Sequence, residues 1–330
     1  MTKLELKSPL APELLQYRQH RIDMHYSSTS TTESFCRCFD RFLVSQGIME
    51  KEISRAVTEA WCRKRSYESP NTQIRRVTRL RQFCIYLSER GYKVFIPPRK
   101  AAPRRQKYEA HIFSDDELRR FFRAVDHPKF ANAGSVRRDL MLPLYFRILY
   151  TSGMRLNELA TIRVADIDIE KAVITVRNGK NGKDRLVPFH PTLVDRCEKV
   201  MQLLDKPTKP DDYFFQIKTG KCPSGGYIYT RFRIILEQAG ISHLGRGHGP
   251  RVHDFRHTYC VNLLRKWIRE KRNLLAWMPY MQAMLGHSGF EETAYYLQLT
   301  SREFPEVRDQ IETKFPNIIE DPDDDEPEFY

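Results

Sequence analysis

At 330 residues, 41% of them apolar, the chain is long enough for two ordinary domains with packed cores, and no apolar run approaches the roughly 18 residues of a membrane span. Its net charge is +13, yet the last eleven residues, EDPDDDEPEFY, hold seven acids and no base; the remainder sets 55 bases against 35 acids, a body of +20. A folded body this basic points to a polyanionic partner, above all nucleic acid.

The seven cysteines are scattered, and the closest pair, Cys36 and Cys38, has the wrong spacing for a disulfide framework or a four-cysteine zinc site. The opening MTKLELKSPLAPELL lacks the apolar core of a secretory signal. A soluble protein of a reducing cytoplasm, associated with the nucleoid, is the expectation.

Residues 1–96 read as a helical domain. TESFCRCFDRFLVSQG places Phe35, Phe39, Phe42 and Leu43 on one stripe and stops at Gly47. NTQIRRVTRLRQFCIYLSERG does the same with Ile74, Val77, Leu80, Cys84 and Leu87, stopping at Gly91. The rest of this helix carries Arg75, Arg76, Arg79 and Arg81, a face suited to phosphate. Residues 97–107 follow as a linker. Pro97, Pro98 and Pro103 oppose a regular helix, and Arg99, Lys100, Arg104, Arg105 and Lys107 predict a path along DNA.

A second domain is expected over residues 108–319. SDDELRRFFRAVD opens on an N-cap serine with early acids, and RRDLMLPLYFRILYTSG reads as a largely buried helix. The period then changes. DIDIEKAVITVRNGKNGKDRLVPFH alternates on both sides of the loop NGKNGKD, a β-hairpin signal. Helices resume from about residue 191, and the acidic stretch 320–330 predicts disorder. The fold class is therefore mainly α with a small β-sheet.

Four stretches hold the ionisable groups that stand out: TSGMRLNEL, with Arg155 and Glu158; the hairpin, with Lys183; HDFRHTY, with His253, Arg256 and His257; and LGHSGFEETAYYLQLT, with His287 and the adjacent Tyr295 and Tyr296. His253 and His257 are four apart, but no glutamate lies between them and no third ligand is evident, so a zinc site is not expected. KTG at 218–220 lacks the S-x-x-K that would give it meaning as a hydrolase motif. Taken in order, the four stretches resemble the tyrosine recombinase, or phage integrase, family over roughly residues 108–300. Its pattern is T-G-x-R-x-x-E, a hairpin lysine, H-x-x-R-H-T, L-G-H, and a tyrosine nine residues past that last histidine. Residues 1–96 are similar to its helical core-binding domain.

The resemblance implies DNA strand cleavage through a 3′-phosphotyrosyl bond, with no cofactor and no metal. Counting nine from His287 gives Tyr296 as nucleophile, and the T-x-x-Y spacing from Thr293 agrees. A phenol of pKa near 10 needs a base or a cationic surround to attack at neutral pH. Arg155 and Arg256 match phosphate oxygens as planar forks; His253 and His287 add hydrogen bonds, with His253 assisting the tyrosine's proton. Lys183, just before the second strand, is preferred to Lys180 as general acid for the leaving 5′-oxygen. Glu158 orients an arginine, and His257 supports the site from beneath. Ser288 and Glu291 form a capping box that starts the nucleophile helix. Helix geometry turns Tyr295 about 100° away from Tyr296.

The expected partners are double-stranded DNA, a homotetramer in synapsis and an accessory DNA-bending factor. The apolar face of REFPEVRDQIETKF suits docking on a neighbouring protomer or on its own core. Two other readings remain open: a type IB topoisomerase-like enzyme with the same nucleophile, and an inactive DNA-binding regulator of the same fold.

Overall fold

The computed structural model describes residues 5–24, 29–101, 103, 108–129, 136–179, 182–204, 208–217, 220–245, 248–287, 289 and 291–301. The expected capping box at Ser288, the helix from residue 302 and the acidic tail lie outside the described residues. The chain divides into two compact units, Met1–Lys107 and Tyr108–Tyr330. Among the described residues no helix is long and apolar enough to cross a membrane.

The first unit contains α1 (Ala11–Asp23), α2 (Thr29–Ser45), α3 (Arg55–Cys62) and α4 (Pro70–Ser88). Ser54 and Ser69 cap α3 and α4 by accepting from backbone N–H groups of the first turn. The apolar stripes read from the sequence meet in an aromatic core, where Phe39 stands edge-on to Trp61 at 5.0 Å and to Phe83 at 6.0 Å. One position differs. Ile74 is only half-buried, whereas Gln73 is buried and donates to the Cys62 carbonyl at 2.9 Å. The rest of the α4 stripe, Val77, Leu80, Cys84 and Leu87, is buried as expected, and at its first turn Gln73 takes the inner position, satisfying the orphan carbonyl at the end of α3. In the linker, Arg99–Ala101 makes a single 3-10 turn.

The second unit begins with α5 (Asp115–Asp126), whose Ser114 and Glu117 form the reciprocal capping box implied by S-D-D-E. Next come α6 (Val136–Ser152) and the short α7 (Leu156–Ala160). An antiparallel sheet follows in the order β1 (Ile167–Asp168), β2 (Val173–Val176), β3 (Arg185–Pro188), with Val176 opposite Arg185. The remaining helices are α8 (Val194–Gln202), α9 (Gly225–Gln238), α10 (Asp254–Arg269), α11 (Leu274–Leu285) and α12 (Glu291–Ser301). The sequence had given a mainly α protein with a hairpin sheet, and that is the fold.

Two cores meet at α10. Phe255 joins Phe121, Phe146 and Phe232 in the main core. Cys260, Leu264 and Trp267 face a separate cluster with Met278, Met281, Leu285, Tyr296 and Leu297. Each buried side chain of this size contributes on the order of 1.5–3 kcal/mol. So α10 packs against α6 with one face and holds α12, the tyrosine helix, with another.

Candidate active site

Arg155 follows a turn that only glycine can make. Gly153 has φ +63°, and a Cβ there would lie 2.7 Å from Cδ1 of Tyr259 and 2.9 Å from Cδ2 of Leu285. The chain re-emerges extended at Arg155, immediately before α7. Glu158, three residues on, accepts the Arg155 N–H at 2.9 Å and its Nη1 at 3.0 Å. Burial pushes the Glu158 carboxyl up, but donors from Arg185 and from the Arg155 backbone outweigh it and hold it below the usual range.

Arg256 sits in the first turn of α10 and is almost fully buried. Its Nη1 donates to the Gly153 carbonyl at 2.7 Å and its Nη2 to the Leu285 carbonyl at 2.8 Å. The second acceptor exists because α11 ends in a Schellman motif: the Gly286 N–H bonds the Ala283 carbonyl and the His287 N–H bonds the Gln282 carbonyl. Gly286, at φ +63°, is the left-handed residue this cap requires. That is why leucine, glycine and histidine occur together.

The cap delivers His287 to Arg256. Arg256 Nη2 lies 2.7 Å from His287 Nε2, and His287 Nδ1 lies 2.7 Å from Thr293 Oγ1. A guanidinium can only donate, so Nε2 is the acceptor and the ring proton sits on Nδ1, donated to Thr293. Thr293 is fully buried, and Tyr296 follows one turn later on the same face of α12.

An open pocket of about 390 Å³ is lined by Arg155, His253, Arg256, His257, His287, Glu292, Tyr295 and Tyr296. Tyr296 is 3% exposed, and its ring lies parallel to His287, 7° apart at 6.1 Å. Burial pushes its phenol well above the ordinary tyrosine range and the Cys260 thiol adds to this, while Arg256 pulls the other way. At neutral pH the Tyr296 phenol is therefore protonated.

His253 lines the same pocket. It precedes α10 and keeps one side open to solvent. The surrounding protein, then the charges of Arg256 and Arg155, lower it to about 4. The imidazole is therefore neutral at pH 7. His257, edge-on to His253 at 5.0 Å, is lowered to about 3 by burial and by the neighbouring His253 and Arg256.

Tyr295, one position away on α12, also borders the pocket and meets the Tyr296 ring edge-on at 5.6 Å. Both tyrosines line it, with His257 5.9 Å from the Tyr295 ring and 5.6 Å from that of Tyr296. The pocket is open and broad enough to span two neighbouring positions of α12. Only Tyr296 is buried against His287 and Arg256.

Lys183 stands apart, exposed in the hairpin loop, with its carbonyl accepting the Gly179 N–H at 3.0 Å. Lys180 is outside the described residues. Of the arginines expected to meet phosphate, Arg75 and Arg99 are exposed. Arg76 is not presented in this way: it pairs with Glu68 at 2.7 Å, with 9% and 2% of the two side chains exposed, and lies over the Trp61 ring. Arg79 is half-buried and donates to the Thr31 carbonyl. An arginine beside an indole and a buried carboxylate is drawn inward whatever its place on the polar face. The Lys100 side chain, Arg104, Arg105 and Lys107 lie outside the described residues.

Three residues of this region were not anticipated. Glu292 puts a carboxylate in a cationic pocket, 3.9 Å from His287 Nε2. Cys260 lies under Tyr296, with burial raising its thiol to about 12. Arg185 donates to both oxygens of Glu158, at 3.0 and 2.6 Å. Its sequence signal was strand alternation, which puts Arg185 on the same side as buried Val187 and turns Leu186 outward.

Residues 112–303 match the model of the phage integrase family. A tyrosine recombinase of Pseudothermotoga lettingae is 27% identical over 267 residues, spanning 79% of this chain and 84% of that protein. The fold is similar to the Tn1549 transposon integrase in complex with transposon right end DNA, with TM-score 0.64, 16% identity, and 92% and 98% of the two chains covered. It is also similar to the XerH site-specific recombinase bound to its palindromic difH substrate, with TM-score 0.60, 19% identity, and 85% and 77% covered. Site motifs, fold and family match agree, and the chain belongs to the phage integrase family of tyrosine recombinases.

Proposed function

We propose that this site-specific DNA recombinase cleaves one strand at a time with Tyr296 as nucleophile, in the service of a mobile element. The observation that carries the reading is the convergence of Arg155, His253, Arg256, His287 and Tyr296 on one pocket from three separate stretches of chain. The Tyr296 oxygen attacks the scissile phosphorus as His253 accepts its proton. Arg155 and Arg256 neutralise the charge that develops on the non-bridging oxygens. The bond from phosphorus to the 5′-oxygen breaks, and Lys183 protonates that oxygen. The phosphotyrosyl bond conserves the energy of the broken linkage, so a 5′-hydroxyl from a second duplex rejoins the strand by the reverse steps.

For His287 the bonds of the DNA-free site have a consequence. Its Nε2 is occupied by Arg256, so an entering phosphate competes with the imidazole for that donor. Once displaced and protonated at Nε2, His287 donates a hydrogen bond of its own to the phosphate.

Double-stranded DNA is the substrate, and the exposed bases of the first unit, Arg75 and Arg99, contact its backbone. Strand exchange calls for two duplexes and a tetramer in synapsis, assisted by a DNA-bending factor. The mobile-element role is carried over from the transposon integrase that shares the fold. Incubation with a nicked suicide substrate, followed by peptide mapping, tests the central claim. A DNA adduct on Tyr296 is expected, and an adduct on another residue, or none, overturns it. Sequencing the DNA that flanks the gene tests the mobile-element role.

A further inference from the structure

We propose that Tyr108 is a positioning residue for strand cleavage: through Asp254 it fixes the turn that holds His253 in the pocket with Tyr296. This rests on His253 taking the tyrosine's proton. Tyr108 is the first residue of the second unit, directly after the basic linker, and residues 108–113 form a strap without helix or strand that leads to the Ser114 cap. Among the described residues the His253 ring makes no hydrogen bond, so its aim is set by the backbone that carries it. Arg256 differs, because the Gly153 and Leu285 carbonyls anchor its guanidinium directly.

The backbone before α10 is a closed turn. The Asp254 N–H donates to the Arg251 carbonyl at 3.0 Å, and the Arg251 N–H donates back to Asp254 Oδ2 at 2.7 Å. Val252 and His253 lie inside that ring, and Val252 is buried. Asp254 is itself fully buried, and its Oδ1 has no hydrogen-bond partner, so Oδ2 carries the whole polar load. A carboxyl shut away from water keeps one orientation only while donors hold it.

The second donor to Oδ2 is the Tyr108 hydroxyl at 2.5 Å, which also lies 3.2 Å from the Gly249 carbonyl oxygen. A phenol has one proton, and the shorter contact takes it. Burial and then the bond to Asp254 push the Tyr108 phenol well above the ordinary tyrosine range, so it stays protonated and donates. The face of the Tyr108 ring carries the Arg251 guanidinium, with Cζ 3.4 Å from the centroid. One residue thus grips both ends of the turn, Arg251 by its ring and Asp254 by its hydroxyl. The strap has other anchors. The Phe113 N–H donates to Thr258 Oγ1 at 3.0 Å, and the Phe113 ring stacks on Phe255 at 5.0 Å. Removing the Tyr108 hydroxyl should therefore loosen the turn and leave the strap on α10.

The test is single-turnover cleavage of a suicide substrate by the full chain. Tyr108→Phe keeps the ring under Arg251 and removes only the hydroxyl. Covalent complex should form about tenfold more slowly, a part of the roughly 10²–10⁴ that a placed proton acceptor supplies. The final yield of complex should match the parent, and DNA affinity should hold within about twofold, because the phosphate contacts are untouched. His253→Ala should be slower by about 10²-fold, and adding Tyr108→Phe to it should cost no more than about twofold further. A structural defect would instead lower the yield, or slow both backgrounds equally. Asp254→Ala removes the acceptor of both donors, should show the same pattern, and carries the test if Tyr108→Phe fails to fold. No loss of rate, a loss of yield alone, or an equal loss with and without His253 overturns the proposal, while a slow His253→Ala leaves the histidine's role standing. If His253→Ala cleaves as fast as the parent, that role falls and the proposal falls with it.

Discussion

The imidazole of His287 and the phenol ring of Tyr296 lie parallel, 7° apart with centroids at 6.1 Å, and Thr293 anchors the imidazole one turn before the tyrosine. Tyr295 instead meets the edge of the His257 ring at 5.9 Å. Tyr296→Phe removes one oxygen and little volume, so folding and DNA binding should survive while covalent complex and recombination vanish. Tyr295→Phe should retain the covalent complex. Denaturing gels of suicide-substrate reactions check both, and an adduct with Tyr296→Phe would refute the assignment.

The histidines of the pocket set an acid limit on stability. His253 and His257 ordinarily titrate near 6.5, but in the folded protein they are lowered to about 4 and about 3. Below pH 6.5 the unfolded chain takes up protons on these rings that the folded chain refuses. Stability is therefore complete above 6.5 and falls as the pH falls towards 4. Glu158 acts in the same direction below 4.5, because its carboxyl is held ionised by Arg185 and Arg155. Melting temperature should drop between pH 7.5 and pH 5, and His257→Asn should flatten that slope. An unchanged slope in the variant would show that His257 is not held neutral.

Arg75 and Arg76 are adjacent in the sequence and should behave differently. Arg76→Ala strands the buried Glu68 carboxylate and should cost about 3–5 kcal/mol of stability, read by urea denaturation of the full chain. Arg75→Ala should leave stability within about 0.5 kcal/mol and weaken DNA binding, reducing the salt slope by about one unit. Reversed outcomes would return Arg76 to the DNA contacts.

Phosphate contact by a basic body makes affinity salt-dependent. Between 50 and 200 mM salt, binding should weaken by roughly 10³-fold or more if six or more phosphates are engaged. Fluorescence anisotropy with a labelled duplex measures this, and a flat curve would exclude a backbone-dominated interface.

Much of the architecture was legible because the residues that specify it act locally. The Ser114 cap, the α2 and α4 stripes and the hairpin around NGKNGKD depend on neighbours within one or two turns. Three of the four motifs marked the pocket because each has its own local reason: a turn that needs Gly153, a helix start at Asp254, and a Schellman cap at Gly286 followed by an i to i+3 pair at Thr293 and Tyr296. Inward-facing charge was harder to read. Arg76 and Arg185 look like surface arginines in one dimension, and their partners, Glu68 and Glu158, lie 8 and 27 residues away.

The two-sided packing of α10 has a thermodynamic consequence. Phe255 ties the helix to the large core, whereas Cys260, Leu264 and Trp267 tie it to the small cluster around α11 and α12. Arg256 should then follow the cooperative body of the unit, and Tyr296 a smaller block expected to open without melting it. Amide exchange in residues 291–301 should then report a lower opening free energy than the amides around Phe255. A substitution such as Met281→Ala should reduce the fraction of molecules poised to react long before it reduces the fraction that is folded. For this protein, readiness and foldedness are separate equilibria, linked through a single helix.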